Sequence, residues 1–194
     1  MDHAGLSRPS IPLIITTTAL LLLGTPALAH PADADITCTA AAVAGTSTGL
    51  TMAGPAKFEI TVAPTTAGCT DKRKDLAPGS RITGALITVP TPGTGRGSCG
   101  ELSAKVSAQL AWIHADGSTG AATELDADLE LRGTELTAEA EVSGGELAGY
   151  RVSGDLANRS ELQEHLTAAC ATAAGADSAT ALLTLGFSNK PWGR

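Results

Sequence analysis

The residues that could do chemistry are few, and their spacing argues against most enzymatic constellations. Histidine occurs three times beyond residue 29, at His30, His114 and His165. A hydrolase of the serine or cysteine type needs a nucleophile, a histidine base and an orienting carboxylate held in one cleft. His114 ends an alternating apolar segment beside Asp116-Gly117, a turn signal, which places it at the rim of a sheet. His165 falls on a short helical segment, away from the face that carries Leu162 and Leu166. No nucleophile elbow is expected, and no catalytic residue is assigned.

The four cysteines, Cys38, Cys69, Cys99 and Cys170, are an even set. Structural zinc sites favour closely spaced pairs, whereas the nearest two cysteines here are 30 residues apart. They read as two disulfides, so no metal and no cofactor is expected. Three pairings are possible. Placing each cysteine at its end of an up-and-down sheet favours Cys38–Cys69 with Cys99–Cys170. A miscounted strand would exchange these for Cys69–Cys99 with Cys38–Cys170.

Carboxylates are the most conspicuous polar group. Glu124, Asp126, Asp128, Glu130, Glu135, Glu139 and Glu141 alternate with apolar residues on either side of Arg132-Gly133. They belong on the outer face of one hairpin. That face is a solubilising surface that resists edge association, or a docking surface for a basic protein partner. Asp126, Asp128 and Glu130 have the spacing that opens a calcium loop, but Leu131 and Thr137 stand where that loop needs glycine and a bidentate glutamate. Lys72-Arg73-Lys74, flanked by Asp71 and Asp75, reads as a solvated basic loop tip. Asn158-Arg159-Ser160 matches a glycosylation sequon, with Ser160 more simply read as a helix cap.

The elements that must position these residues are strands. Strict alternation marks segments around 57–62, 102–112, 124–131, 135–142, 150–156 and 179–187, each with one face in a core and one in water. Ile36 to Val43 and Arg81 to Val89 are less regular strands. The intervening 44–55, 64–79 and 90–100 read as loops, being rich in glycine, proline and threonine. The expectation is an all-β fold of about eight antiparallel strands, mostly a meander, forming a sandwich or small barrel. One short helix is expected near 161–169, with Ser160 and Gln163 forming a capping box.

Export is written into the first 29 residues. A weakly basic start, an apolar core from Ile11 to Leu23, and Ala27-Leu28-Ala29 are the parts of a cleavable signal peptide. The expected organisation is a signal peptide at 1–29, a flexible segment at 30–35, one β domain at 36–188 and a short tail at 189–194 carrying Trp192. A net charge of -7 argues against a nucleic-acid partner, and stable membrane insertion after cleavage is not expected. The layout resembles a group of small secreted actinomycete proteins, largely uncharacterised. The likeness rests on Cys38, Cys69, Ser98-Cys99, Trp112, Gly145 with Gly149, and Cys170. It implies a disulfide-braced β domain outside the cell and no particular activity. The functional expectation is a secreted, non-catalytic binding or assembly protein that engages an extracellular protein. The alternatives are an enzyme inhibitor presenting 64–79 or 90–100 as a braced loop, and a hydrolase.

Overall fold

A computed structural model describes residues 33–133 and 135–189. The expected signal peptide, Trp192 and most of the expected tail lie outside the described residues. Ten antiparallel strands form one sheet: β1 (Ile36–Leu50), β2 (Ala56–Val62), β3 (Thr65–Asp71), β4 (Ile82–Ile87), β5 (Thr91–Ser98), β6 (Glu101–His114), β7 (Thr123–Arg132), β8 (Glu135–Gly144), β9 (Arg151–Leu156) and β10 (Ala176–Ser188). α1 (Arg159–Cys170) is the one α-helix among the described residues.

Two of these strands occupy segments expected to be loops. β3 lies within 64–79 and β5 within 90–100, so the count is ten and not eight. Both have compositions that disfavour strands in isolation, and neighbours recruit them. β1 and β6 are 15 and 14 residues long, and each offers one edge to two shorter strands. On β1, Ile36–Ala40 pairs with β3 and Ala44–Thr46 with β2. On β6, the first half pairs with β5 and the second with β4. The expected meander therefore runs unbroken from β5 to β10, whereas β1 with β3, β2 with β5 and β4 with β6 pair out of sequence. β1 also runs on to Leu50 through residues read as a loop.

The sheet closes on itself, because β1 pairs with β10 from Ile36↔Phe187 to Leu50↔Ala176. Hydrogen-bonded partners can be followed right round this ring. From Ile36 they run through Phe187, Val152, Ala140, Ala127, Val106, Gly93 and Ile60 to Thr46. The circuit crosses eight strands and returns to β1 ten residues beyond its start. A closed sheet of eight tilted strands leaves an interior that side chains just fill or that holds one small ligand.

One end of the ring is plugged. Trp112 and Phe187 meet edge to face, with centroids 5.2 Å apart at 82°, and both are fully buried with Ile36, Ile82 and Leu147. The Trp112 indole N–H donates to Thr123 Oγ1 at 2.7 Å, so the ring nitrogen is satisfied inside the core. At this end Cys38 is bonded to Cys69 across the β1–β3 pair, and at the other Cys99 is bonded to Cys170. The disulfides thus lie at opposite ends of the ring, in the pairing that the strand-end argument favours.

Several local expectations are corrected. Of the expected flexible segment, 33–35 is tied down: Ala34 is buried, and Asp35 accepts from Lys72 N and Asn189 N at 2.8 and 2.9 Å. The helix begins at Arg159, so Ser160 lies inside it and no side-chain cap is made. Asn158, at the cap position, instead spends its amide on β10. It accepts from Leu182 N at 2.7 Å and donates to Thr180 O at 3.4 Å. With Ala157 N donating to Leu182 O, this segment covers the β10 edge left bare where the six-residue β9 ends.

Candidate functional site

The inward positions of the ring are where the sequence is most unusual. Small residues recur there: Ala42 and Ala44 on β1, Ala108 on β6, Ala127 on β7, Ala138 and Ala140 on β8, and Ala179 and Ala181 on β10. An alanine at each of these sites leaves the volume that a leucine or valine would occupy. The result is a hollow of about 260 Å³ lined by 29 residues, of which nine are alanine and eleven leucine. Its floor is formed by Leu110, Leu125 and Val152, which pack on the Trp112–Phe187 plug. Its far end is bounded by Leu131 and Leu136 of the β7–β8 hairpin and by Leu162 and Leu166 of α1. Leu183, Leu185, Ala127 and Ala140 point inward yet are only half-buried, because they face this space.

Polar groups are all but missing from the lining. Thr46 Oγ1 is already engaged with backbone carbonyls of Thr48 and Ala176, at 3.0 and 3.5 Å. Glu139 is the one ionisable residue of the set, and it is exposed. Such a space stays dry, since a water there would find no partners. It can hold apolar matter and cannot do acid–base chemistry.

The seven carboxylates expected on the outer face are all exposed there. The register sets Asp126 opposite Glu141 and Asp128 opposite Glu139. Relief comes from β6, where Ser107 donates to Asp126 at 2.5 Å and Lys105 pairs with Asp128 at 2.7 Å. Glu130 pairs with Arg132 at 3.1 Å. The ion pair with Asp128 raises the Lys105 pKa. No group of three metal-ligating side chains occurs among the described residues.

Arg73 departs from the solvated tip expected of Lys72-Arg73-Lys74. Its guanidinium folds back on Asp71, which lies within the core wall with no side-chain exposure. Asp71 accepts from Arg73 Nε at 2.9 Å and from the backbone N–H groups of Ile82 and Arg73, each at 3.0 Å. Burial pushes the Asp71 pKa up, but these hydrogen bonds together hold it below the ordinary value. The pair fastens the turn after β3 to the start of β4.

A linear array that sequence reasoning missed lies at the plugged end. Ser118 Oγ is 3.0 Å from His114 Nδ1, and His114 Nε2 is 2.8 Å from Glu146 Oε1. Nucleophile, base and carboxylate are in the order a hydrolase uses. The surroundings are those of a braced hairpin: the His114 backbone N–H donates to Ser118 O, and Asp116 accepts the Ser118 N–H. Gly120 packs so closely on Glu146 and His114 that a Cβ would lie 1.8 Å from the Glu146 carboxylate. Glu146 follows two strands later in sequence, so no local motif announces it. The chain also contains Gly45-Thr46-Ser47-Thr48-Gly49, a match to the Gly-x-Ser-x-Gly pattern. It lies inside β1 and not on a strand-to-helix turn, so no elbow forms. Ser47 Oγ accepts the Glu59 N–H at 2.9 Å, and the ring nitrogen of His165 is bonded to Ser178 O.

No protein-family model matches this chain, and no curated protein and no solved structure matches it.

Proposed function

We propose that the protein is an exported, non-catalytic binding protein that holds a small apolar ligand inside its ring. The observation that carries the reading is the 260 Å³ hollow with its alanine-rich wall. At about 24 cal/mol per Å³, an unfilled space of that size forgoes about 6 kcal/mol of packing. That is comparable to the whole stability of an ordinary domain. A hollow that costly is retained for something that fills it. Two disulfides supply the bracing that lets the wall stand around it, and they fit an oxidising compartment.

Calorimetric titration of the oxidised protein with benzene, naphthalene and 1-decanol tests this reading. At least one of them should bind with one-to-one stoichiometry, and binding should be lost in a variant carrying both Ala127→Leu and Ala140→Leu. If none of the three binds, the hollow is not a ligand site.

A second reading, docking of a basic extracellular protein on the β7–β8 face, is favoured by the opposed pairs Asp126/Glu141 and Asp128/Glu139. Like charges placed opposite one another destabilise a sheet by some tenths of a kcal/mol to about 1 kcal/mol, and a basic partner would reverse that sign. The inhibitor alternative has less loop to present than expected, since 64–79 and 90–100 contain β3 and β5.

A further inference from the structure

The wall of the hollow is sheet on every side but one. β9 stops at Leu156, which pairs with Leu183, whereas β10 extends from Leu182 back to Ala176 with no strand on that side. β8 pairs with β9 only from Ala138 to Glu141, although β8 starts at Glu135. A stretch of strand is therefore missing between the first residues of β8 and those of β10. Along β10 it covers 176–182, about 20 Å at about 3.3 Å per residue.

α1 fills this opening. Its 12 residues are about 18 Å long, and Leu162 and Leu166 border the hollow. Among the described residues that line the hollow, two are exposed, Glu139 of β8 and Ser178 of β10. They stand on the two strands that flank α1, so it is here that the hollow comes to the surface.

The two seams of α1 differ. Along β10, alternate carbonyls that a further strand would engage are taken in turn. Leu182 O accepts from Ala157 N at 2.8 Å, Thr180 O from Asn158 Nδ2 at 3.4 Å and Ser178 O from His165 Nε2 at 3.1 Å. Toward β8, no hydrogen bond or ion pair crosses among the described residues. What meets there is apolar: Leu162 and Leu166 on α1, Leu136 and Ala138 on β8, all four bordering the hollow. Parting two strands elsewhere in the ring would leave backbone groups unpaired. Parting α1 from β8 leaves none, because a helix bonds its own backbone. Of the residues of α1 only Leu162 and Cys170 are buried, and elements so lightly packed are the ones that open locally.

On the reading that the hollow is a ligand site, we infer that α1 is its gate. α1 parts from β8 to let a ligand pass, while Asn158 and the Cys99–Cys170 bond hold its two ends. A helix of this length is marginal in water by itself, so α1 unwinds when its leucines leave the hollow. An occupant enclosed by the ring leaves, and another enters, at the rate of that event.

Two measurements on the oxidised full chain test this. In hydrogen exchange, the amides of 163–170 should exchange at least about a hundredfold faster than those of 183–187 in β10. In stopped-flow fluorescence, Leu166→Ala should speed the entry of naphthalene at least about tenfold. Leu131→Ala removes a leucine from the same end of the hollow but from the β7 ladder, and should change that rate by less than about threefold. Exchange at 163–170 as slow as at 183–187 overturns the gate, and so does equal entry into the two variants. Either result leaves the ligand site in place wherever naphthalene, benzene or 1-decanol binds. If none of the three binds while the helix exchanges rapidly, the ligand reading falls and the opening of α1 stands.

Discussion

Filling the hollow should stabilise the protein, which is the reverse of what enlarging a core residue usually does. Ala127 sits in the middle of β7, opposite Val106 and Ala140, with its side chain on the hollow. Ala127→Leu adds three carbons into space that is already open. At about 0.8 kcal/mol per buried methylene the added group contributes about 2.4 kcal/mol. Freezing the leucine rotamer removes about 0.5–1 kcal/mol of that. The net gain is about 1.5–2 kcal/mol, and in a domain of this size each kcal/mol raises Tm by about 2–4 °C. A scanning calorimeter should therefore record a rise of about 3–8 °C for Ala127→Leu with the disulfides intact. Ala85→Leu, in the packed wall at the Trp112 end, should instead lower Tm, because overpacking costs about 1–3 kcal/mol. If both variants lose stability alike, the interior is filled and the reasoning about the hollow fails.

The remaining predictions follow from particular contacts. Asp71 has a lowered pKa in the folded chain, so the stability it contributes is present above its unfolded value of about 3.9 and is lost as pH falls through the folded value. Asp71→Asn should flatten the acid limb of a stability–pH curve below about pH 4, and an unchanged limb would mean that the Arg73 contact contributes nothing. Reversing Glu124, Asp128 and Glu139 to Lys should leave the circular dichroism unchanged, because all three face solvent; a basic partner recovered from culture supernatant should lose binding to this variant, and equal binding would return the face to a solubilising role. Replacing Cys99 and Cys170 by Ser opens a span of 71 residues, worth about 4 kcal/mol in the chain-entropy model, and chemical denaturation should report a loss of that order. A fluorophosphonate should not label Ser118, and stoichiometric labelling there would make the Ser118–His114–Glu146 array a catalytic one.

Legibility followed side-chain contrast. β6, β7 and β8 alternate apolar and charged residues, and their sheet was readable from that pattern alone. β5 reads Thr-Pro-Gly-Thr-Gly-Arg-Gly-Ser, which by composition is a loop. It is a strand because Phe58 fills the room its glycines leave. A Cβ at Gly95 would stand 2.4 Å from the Phe58 ring, so the missing side chain belongs to the packing. β3 was hidden for a related reason, since Thr65–Asp71 has only Ala67 and Cys69 to mark an inward face. The hollow had a signal that went unread. Alanines at 42, 44, 108, 127, 138, 140, 179 and 181 occupy inward positions of five strands, and a strand-by-strand reading treats each as a weak core residue. Only the closure of β1 on β10 turns them toward one another.

That closure joins the first strand of the ring to the last. Ile36 pairs with Phe187 across 151 positions of chain, and nothing between them can substitute for the contact. A chain that emerges N-terminus first during its synthesis presents β1 long before β10 follows. Until then both β1 and β9 present bare edges, and no enclosed space exists to receive a ligand. Such a distant pairing forms late and slowly, because a long loop must be closed before its contacts are gained. Any occupant present when β10 docks would become trapped within the finished wall, and the timing of that single event would govern loading as much as affinity does.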